Sequence, residues 1–292
     1  GGQPVQSTVA TPIRATELIP DTAAPVLVAF EYNAGIGEIA LDFSEPINSS
    51  LAHLLHNVNL TSSDSGVSVP LVSASTSVRF GQTRVTIALP RAQHNAVLRT
   101  SHFGDSINNT LLAFGPGPVV SDLFGNDLVG SAIGQGQRLH ASSVVQDTVS
   151  PALESFDLDL SSGTLIASFS EPVQSLTLNS TKFTLHALPQ LNSSWASVPL
   201  ANSIVNGTSP DGTAVVLYLP VSVVDSLKET SGFARNTSTV WLTASFAAVF
   251  DFAQQPLERS GGVAANTVTL DSIAPEVVET SLNMTALRLD VI

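Results

Sequence analysis

Asp147-Thr148-Val149-Ser150-Pro151-Ala152-Leu153-Glu154-Ser155-Phe156-Asp157-Leu158-Asp159-Leu160-Ser161-Ser162-Gly163-Thr164-Leu165-Ile166-Ala167-Ser168-Phe169-Ser170-Glu171-Pro172 is the stretch that decides the fold. Phe156, Leu158 and Leu160 alternate with Asp157 and Asp159, the chain turns at Ser161-Ser162-Gly163, and Leu165, Ala167 and Phe169 alternate on the return. A period of two puts every second side chain on one face, so the pattern predicts a hairpin with one buried face.

The same stretch occurs elsewhere. Its opening, Asp147-Thr148-Val149-Ser150-Pro151, answers to Asp21-Thr22-Ala23-Ala24-Pro25 and to Asp271-Ser272-Ile273-Ala274-Pro275, at spacings of 126 and 124 residues. Its end, Ser168-Phe169-Ser170-Glu171-Pro172-Val173, answers to Asp42-Phe43-Ser44-Glu45-Pro46-Ile47, again 126 residues apart. Two landmarks in register mark an internal repeat. In the first copy Val26, Val28, Phe30 and Tyr32 lead through a turn at Gly35 to Gly37 into Ile39, Leu41 and Phe43. Later landmarks drift by a few residues, as loops do: Ile87-Ala88-Leu89-Pro90 pairs with Leu217-Tyr218-Leu219-Pro220, and Ser121 to Asn126 with Phe250 to Gln255.

Further period-two runs are Val85, Ile87, Leu89; Val215, Leu217, Leu219; and Val240, Leu242, Ala244, Phe246. A helical reading is weak almost everywhere, and short segments such as Ser50 to His56, Arg91 to Arg99 and Val221 to Glu229 suit single helical turns crossing between sheets. The expected class is all-β, tandem immunoglobulin-like Greek-key β-sandwiches. The expected division is an N-terminal strand or linker over 1–20, one repeat over 21–146, a second over 147–270, and over 271–292 the start of a third repeat or a donor strand.

Composition agrees with a folded, weakly charged surface. The 292 residues are 43% hydrophobic and 12% charged, with 11 basic against 24 acidic side chains and a net charge of -13. No basic stripe exists to neutralise phosphates, so nucleic acid is not an expected partner. There is no cysteine, which removes disulfides and thiolate chemistry together. No apolar run approaches the roughly 18 residues that span a bilayer, and Gly1-Gly2-Gln3-Pro4 does not read as a signal peptide.

The pattern Asp-Thr-x-x-Pro, an alternating hairpin, Phe-Ser-Glu-Pro-Val and an Asp-x-x-Gly-Asn turn resembles the tandem immunoglobulin-like repeats of very large extracellular proteins. Bacterial surface-layer and adhesin-type proteins carry a similar module. The Leu-x-x-Phe-x-Leu-Asp stretch at Leu153 to Asp159 looks more like the repeats of algal and other protist surface proteins, including mastigoneme proteins. The resemblance covers residues 21 to 292. It implies a structural, adhesive or filament-forming role at the cell surface or outside the cell. The second copy departs from it, replacing the Gly-Asn of the turn by Ala253 and Gln255, so a role for Asp122 and Asn126 need not extend to Asp251.

Eight of fifteen asparagines stand in Asn-x-Ser/Thr sequons: Asn48, Asn59, Asn108, Asn179, Asn192, Asn206, Asn236 and Asn283. Chance placement at this Ser and Thr content gives about three, so the excess points to N-linked glycans. They would also hydrate a surface poor in charge.

Asp21, Glu45, Asp122, Asp147 and Glu171 recur at repeat starts and turns, and could collect at one domain end as oxygen ligands for calcium. Turn capping by backbone amides explains the same recurrence without a metal, and the sequence favours it; no cofactor is expected. Asp157-x-Asp159-x-Ser161-x-Gly163 is similar to a calcium loop, yet its glycine is one position late and the alternation makes it a hairpin. Nothing in the local sequence completes a zinc ligand set with His53 and His56, and no nucleophile elbow, phosphate loop or His-Glu-x-x-His is present. No catalytic residue is expected.

Leu287, Leu289 and Val291 match the return strand Leu165, Ala167, Phe169, so an apolar strand near the end of the chain is left to be completed. It belongs to a longer array, or it completes a sandwich in a neighbouring molecule by strand addition. Val5, Val9, Ile13 and Leu18 likewise fit a preceding strand or a linker. The leading expectation is a structural subunit of a glycosylated extracellular filament whose partners are copies of itself. An adhesin recognising glycan or protein through domain-end loops and accessory domains of a secreted enzyme are the alternatives.

Overall fold

The computed structural model describes residues 15–48, 52–72, 74–77, 82–130, 138–189, 196–272, 274, 280–286 and 288–291. The alternating hairpin of the first copy is β1 (Leu27–Asn33) and β2 (Glu38–Phe43), followed by β3 (Val58–Ser62), β4 (Ser68–Pro70), β5 (Ser75–Ser77), β6 (Arg84–Ala88), β7 (Thr110–Phe114), β8 (Pro118–Ser121), β9 (Asp127–Val129), β10 (Arg138–His140) and β11 (Ser143–Val145). One sheet runs β11-β1-β2-β6-β5, the facing one β10-β7-β3-β4, and β8 and β9 make a separate hairpin. Helices α1 (Ala52–Asn57) and α2 (Arg91–Leu98) sit where the sequence places helical turns.

The second copy repeats the plan with β12 (Leu153–Asp159), β13 (Thr164–Phe169), β14 (Phe183–His186), β15 (Ser197–Pro199), β16 (Ile204–Thr208), β17 (Ala214–Tyr218), helix α3 (Val221–Glu229), β18 (Trp241–Ala244) and β19 (Val263–Thr269). Its order is β15-β14-β18-β19-β12-β13-β17-β16. Strand β19 pairs antiparallel with β18 at its start and parallel with β12 further on, which links the two faces. In the first copy β10 and β11 divide that task. With β4 and β15 taken as an edge strand C′ and the β8–β9 hairpin left unlettered, each copy reads A-B-E-D on one face and C′-C-F-G on the other, the Greek-key arrangement of an immunoglobulin-like sandwich.

Two apolar cores result, one drawn from Leu27 to Ala141 and the other from Leu153 to Ala265. Phe30, Ile39 and Leu41 in the first, and Phe156, Leu165 and Phe169 in the second, are fully buried. Each such side chain contributes about 1.5–3 kcal/mol of transfer free energy.

The alternation departs from expectation at one place in the first copy. Val26 and Val28 point to solvent, 57% and 62% exposed, while Leu27 is buried. A β-bulge between Leu27 and Ala29 inserts one residue, and the same irregularity lies between Leu153 and Ser155. One extra residue inverts the face seen by everything before it, so Leu27 and Phe30 both point inward. Past β19, β20 (Thr280–Asn283) and β21 (Arg288–Val291) form a third hairpin with Leu282 opposite Leu289.

Candidate functional site

Each copy closes its end with the same loops. Asp21 Oδ1 accepts from Ala23 N at 3.0 Å, and Asp147 Oδ1 from Val149 N at 3.0 Å. Ser44 Oγ accepts from Val26 N at 2.9 Å, and Ser170 Oγ from Ala152 N at 2.9 Å. Isolated bridges Ile47 to Asp122 and Val173 to Asp251 bring the later aspartate beside the Ser-Glu-Pro turn. Asp122, Leu123, Phe124, Gly125 and Asn126 thereby correspond to Asp251, Phe252, Ala253, Gln254 and Gln255. Gly125 has φ 89° and its counterpart is Gln254, with φ 65°, rather than Ala253. The second turn keeps the left-handed step without a glycine, and Asp251 takes the position of Asp122.

Two triads of carboxylates follow: Asp21, Glu45 and Asp122 in the first copy, Asp147, Glu171 and Asp251 in the second, each offering one oxygen within 4.8 Å of the others. The triads differ in cover. In the first, Asp122 is buried while Asp21 and Glu45 are partly open. In the second, Asp147, Glu171 and Asp251 are only 9%, 7% and 2% exposed. The first sandwich lies over Asp147: a Cβ on Gly35 would stand 3.5 Å from Asp147 Oδ1.

They differ as well in how their oxygens are satisfied. Asp122 Oδ1 accepts from the amides of Phe124 and Asn126, both at 2.8 Å, and its Oδ2 accepts from Asn126 Nδ2 at 2.7 Å. Burial pushes the Asp122 carboxyl up, but the Asn126 side chain and the turn amides outweigh it and hold the group below the usual aspartate range. Asp251 Oδ1 accepts from Gln255 N at 2.6 Å. Its Oδ2 and Glu171 Oε1 are buried without a hydrogen-bond partner among the described residues.

The electrostatics follow from that difference. Glu171 is pushed up to about 8, by burial first and then by the charges of Asp147 and Asp251. Asp251 is pushed up to about 6, mainly by burial, against the pull of the Gln255 amide. Burial also raises Asp147, which the Val149 amide and His94 partly offset. Tyr32, buried and without a partner for its hydroxyl among the described residues, is raised by burial and by the charge of Asp147. The seam between the sandwiches is crossed by Arg91, whose Nη2 donates to Phe169 O at 3.1 Å and Ser170 O at 2.9 Å and pairs with Glu154 at 3.2 Å. A cavity of about 610 Å³ opens beside it, lined among others by His102, Asp105, Asp147, Gln174 and Gln255.

Other sequence candidates fall as follows. Asn48, Asn108, Asn179, Asn206 and Asn236 are exposed and Asn59 is half-buried; Asn283 lies in β20, and Asn192 is outside the described residues. Leu289 and Val291 lie in β21, paired with β20, while Leu287 is outside the described residues. Leu18 is 86% exposed; Val5, Val9 and Ile13 lie outside the described residues. His53 and His56 are on α1. Asp159 Oδ1 accepts from the amides of Ser161 and Ser162, so that segment is a hairpin turn. No helix of the described residues is long and apolar enough to cross a membrane.

The fold defines a chain of tandem immunoglobulin-like β-sandwiches. No family model matches it. No curated protein matches it either. Among solved structures it is similar to the surface-layer protein SbsC, at 10% identity over 89% of this chain and 28% of that one, with a TM-score of 0.28. It is similar to native alpha-2-macroglobulin from Escherichia coli spanning domains MG0-NIE-MG1, at 10% identity over 82% and 71%, with a TM-score of 0.29. Chicken CNTN1 FN1-FN3 domains match at 10% identity over 89% and 69%, with a TM-score of 0.24. The chain thus spans less than a third of the surface-layer protein it matches. Likenesses this loose assign no activity, and the class rests on the chain's own strand order.

Proposed function

We propose that this chain is a structural segment of a glycosylated extracellular or cell-surface assembly, built from sandwiches stacked end to end, with units over 21–146 and 147–270. The observation that carries the reading is the short junction. Strand β11 ends at Val145, paired in parallel with β1, and Asp147 already belongs to the next end loop. With Arg91 spanning the seam, successive units have little slack, as a chain that resists tension or forms a lattice requires. Heterologous contacts that do not close extend such a chain indefinitely.

Exposure of five of the eight sequons supports N-linked sugar on the outer surface, and glycosidase treatment is expected to lower the mass, with Asn179 or Asn206 carrying part of it. The third hairpin supports completion by a further repeat or a neighbouring molecule through Leu287, Leu289 and Val291. Electron microscopy of the native material tests the reading: ordered fibres or sheets are expected, and discrete monomers contradict it. A chain lacking residues 287–292 should assemble poorly; unchanged assembly excludes strand sharing through that segment. No catalytic role is proposed.

A further inference from the structure

Taking a carboxylate out of water is costly unless a cation or hydrogen-bond donors replace the water. None of the ion pairs among the described residues involves Asp147, Glu171 or Asp251. Turn capping accounts for Asp147 Oδ1 and Asp251 Oδ1 only. It leaves Glu171 Oε1 and Asp251 Oδ2, on side chains more than nine-tenths buried, with no donor among the described residues.

We propose that Asp147, Glu171 and Asp251 form a divalent-cation site, matched to calcium, which ties the opening residue of the second sandwich to that sandwich's end loops beneath the first. Three carboxylates and no nitrogen or sulfur make a hard, oxygen-only donor set. Oxygens that share one calcium at about 2.4 Å stand at most about 4.8 Å apart, whereas magnesium at about 2.1 Å demands about 4.2 Å or less and near-octahedral order. Every pair of the triad's oxygens lies within 4.8 Å, a reach that one calcium ion spans. Water from the adjoining cavity completes the shell.

The first triad supplies the contrast within the same molecule. There Asn126 Nδ2 occupies Asp122 Oδ2, so the oxygen a cation needs already accepts a hydrogen bond. Gln255 stands at the equivalent position, and its backbone N–H, not its side chain, donates to the Asp251 carboxylate. The cation is therefore selective for the second triad.

The inference is independent of filament formation, because fibres without any calcium effect leave the structural role standing and remove only the site. The test is isothermal titration of calcium chloride into the chelator-treated full chain at about pH 7.5, with thermal unfolding in calcium and in EDTA. One site per chain and a melting temperature higher by several degrees in about 2 mM calcium are expected. Glu171→Gln and Asp251→Asn remove charge but little volume, so near-UV circular dichroism should stay native while affinity falls at least about tenfold. Glu45→Gln should leave affinity within about twofold, and magnesium should bind at least about tenfold more weakly. No heat and no thermal shift with calcium, a shift that survives both second-triad variants, loss through Glu45→Gln, or equal binding of magnesium would each overturn the proposal.

Discussion

Asn126 and Asp122 are locked side chain to side chain, Nδ2 to Oδ2 at 2.7 Å, and Asn126 reaches on to Asp21 O at 3.2 Å. One amide thus holds the opening residue of the repeat to its later turn. In the second copy the backbone path is the same, with Asp251 N to Gln255 O at 3.1 Å matching Asp122 N to Asn126 O at 3.1 Å. The side-chain lock is not repeated there. Two ends of one fold have diverged in chemistry while keeping their geometry.

That divergence can be reversed by substitution. Gln255→Asn should place a donor on Asp251 Oδ2, satisfying a buried acceptor worth about 1–3 kcal/mol when left unpaired. The chelated protein should become more stable and its calcium affinity should fall; calorimetry with titration measures both, and higher affinity in the variant would contradict the comparison.

The chelated protein should lose stability as pH rises from about 4.5 through about 8. Glu171 is pushed up to about 8 and Asp251 to about 6, so in that window the folded state holds protons that the unfolded state has released, and stability falls with pH. Asp147, Asp251, His94 and Tyr32 are the titratable groups whose charges bear on the cluster. Urea midpoints in EDTA at successive pH values measure the slope, which Glu171→Gln should flatten; midpoints that rise with pH across the window refute the assignment.

Phe156→Ala should cost about 3–5 kcal/mol, because Phe156 is fully buried in the second core alone. The expected calorimetric trace splits, with one transition moved down and the other in place. A single transition moving as a whole would mean that the two cores melt as one unit.

Arg91→Ala should affect orientation more than stability. Arg91 and Glu154 are 58% and 48% exposed, and exposed ion pairs contribute about 0–1 kcal/mol. Melting should shift by about 4 °C or less, while small-angle scattering should show a broader spread of inter-sandwich angles; a large drop in stability would make the seam part of the core.

Much of the architecture was legible because period-two alternation reports burial directly, as at Phe156, Leu158, Leu165 and Phe169. The bulge before Phe30 was not, since Val26-Leu27-Val28 is apolar throughout and no pattern distinguishes which residue faces in. The recurrence of Asp21 and Glu45 at Asp147 and Glu171 marks the end loops in the sequence alone. The missing Gly-Asn pair hides Asp251 from a sequence reading, yet Gln254 adopts the left-handed step and Asp251 completes the triad. The unequal burial of the triads had no local signal, because Gly35, which lies over Asp147, comes more than a hundred residues earlier.

Single-molecule extension of the chain from its two ends tests the modular scaffold most directly. Two separate unfolding events are predicted, each releasing about 120 residues, or roughly 40 nm of contour length. A single event releasing both sandwiches together, or extension without a discrete event, would contradict the account.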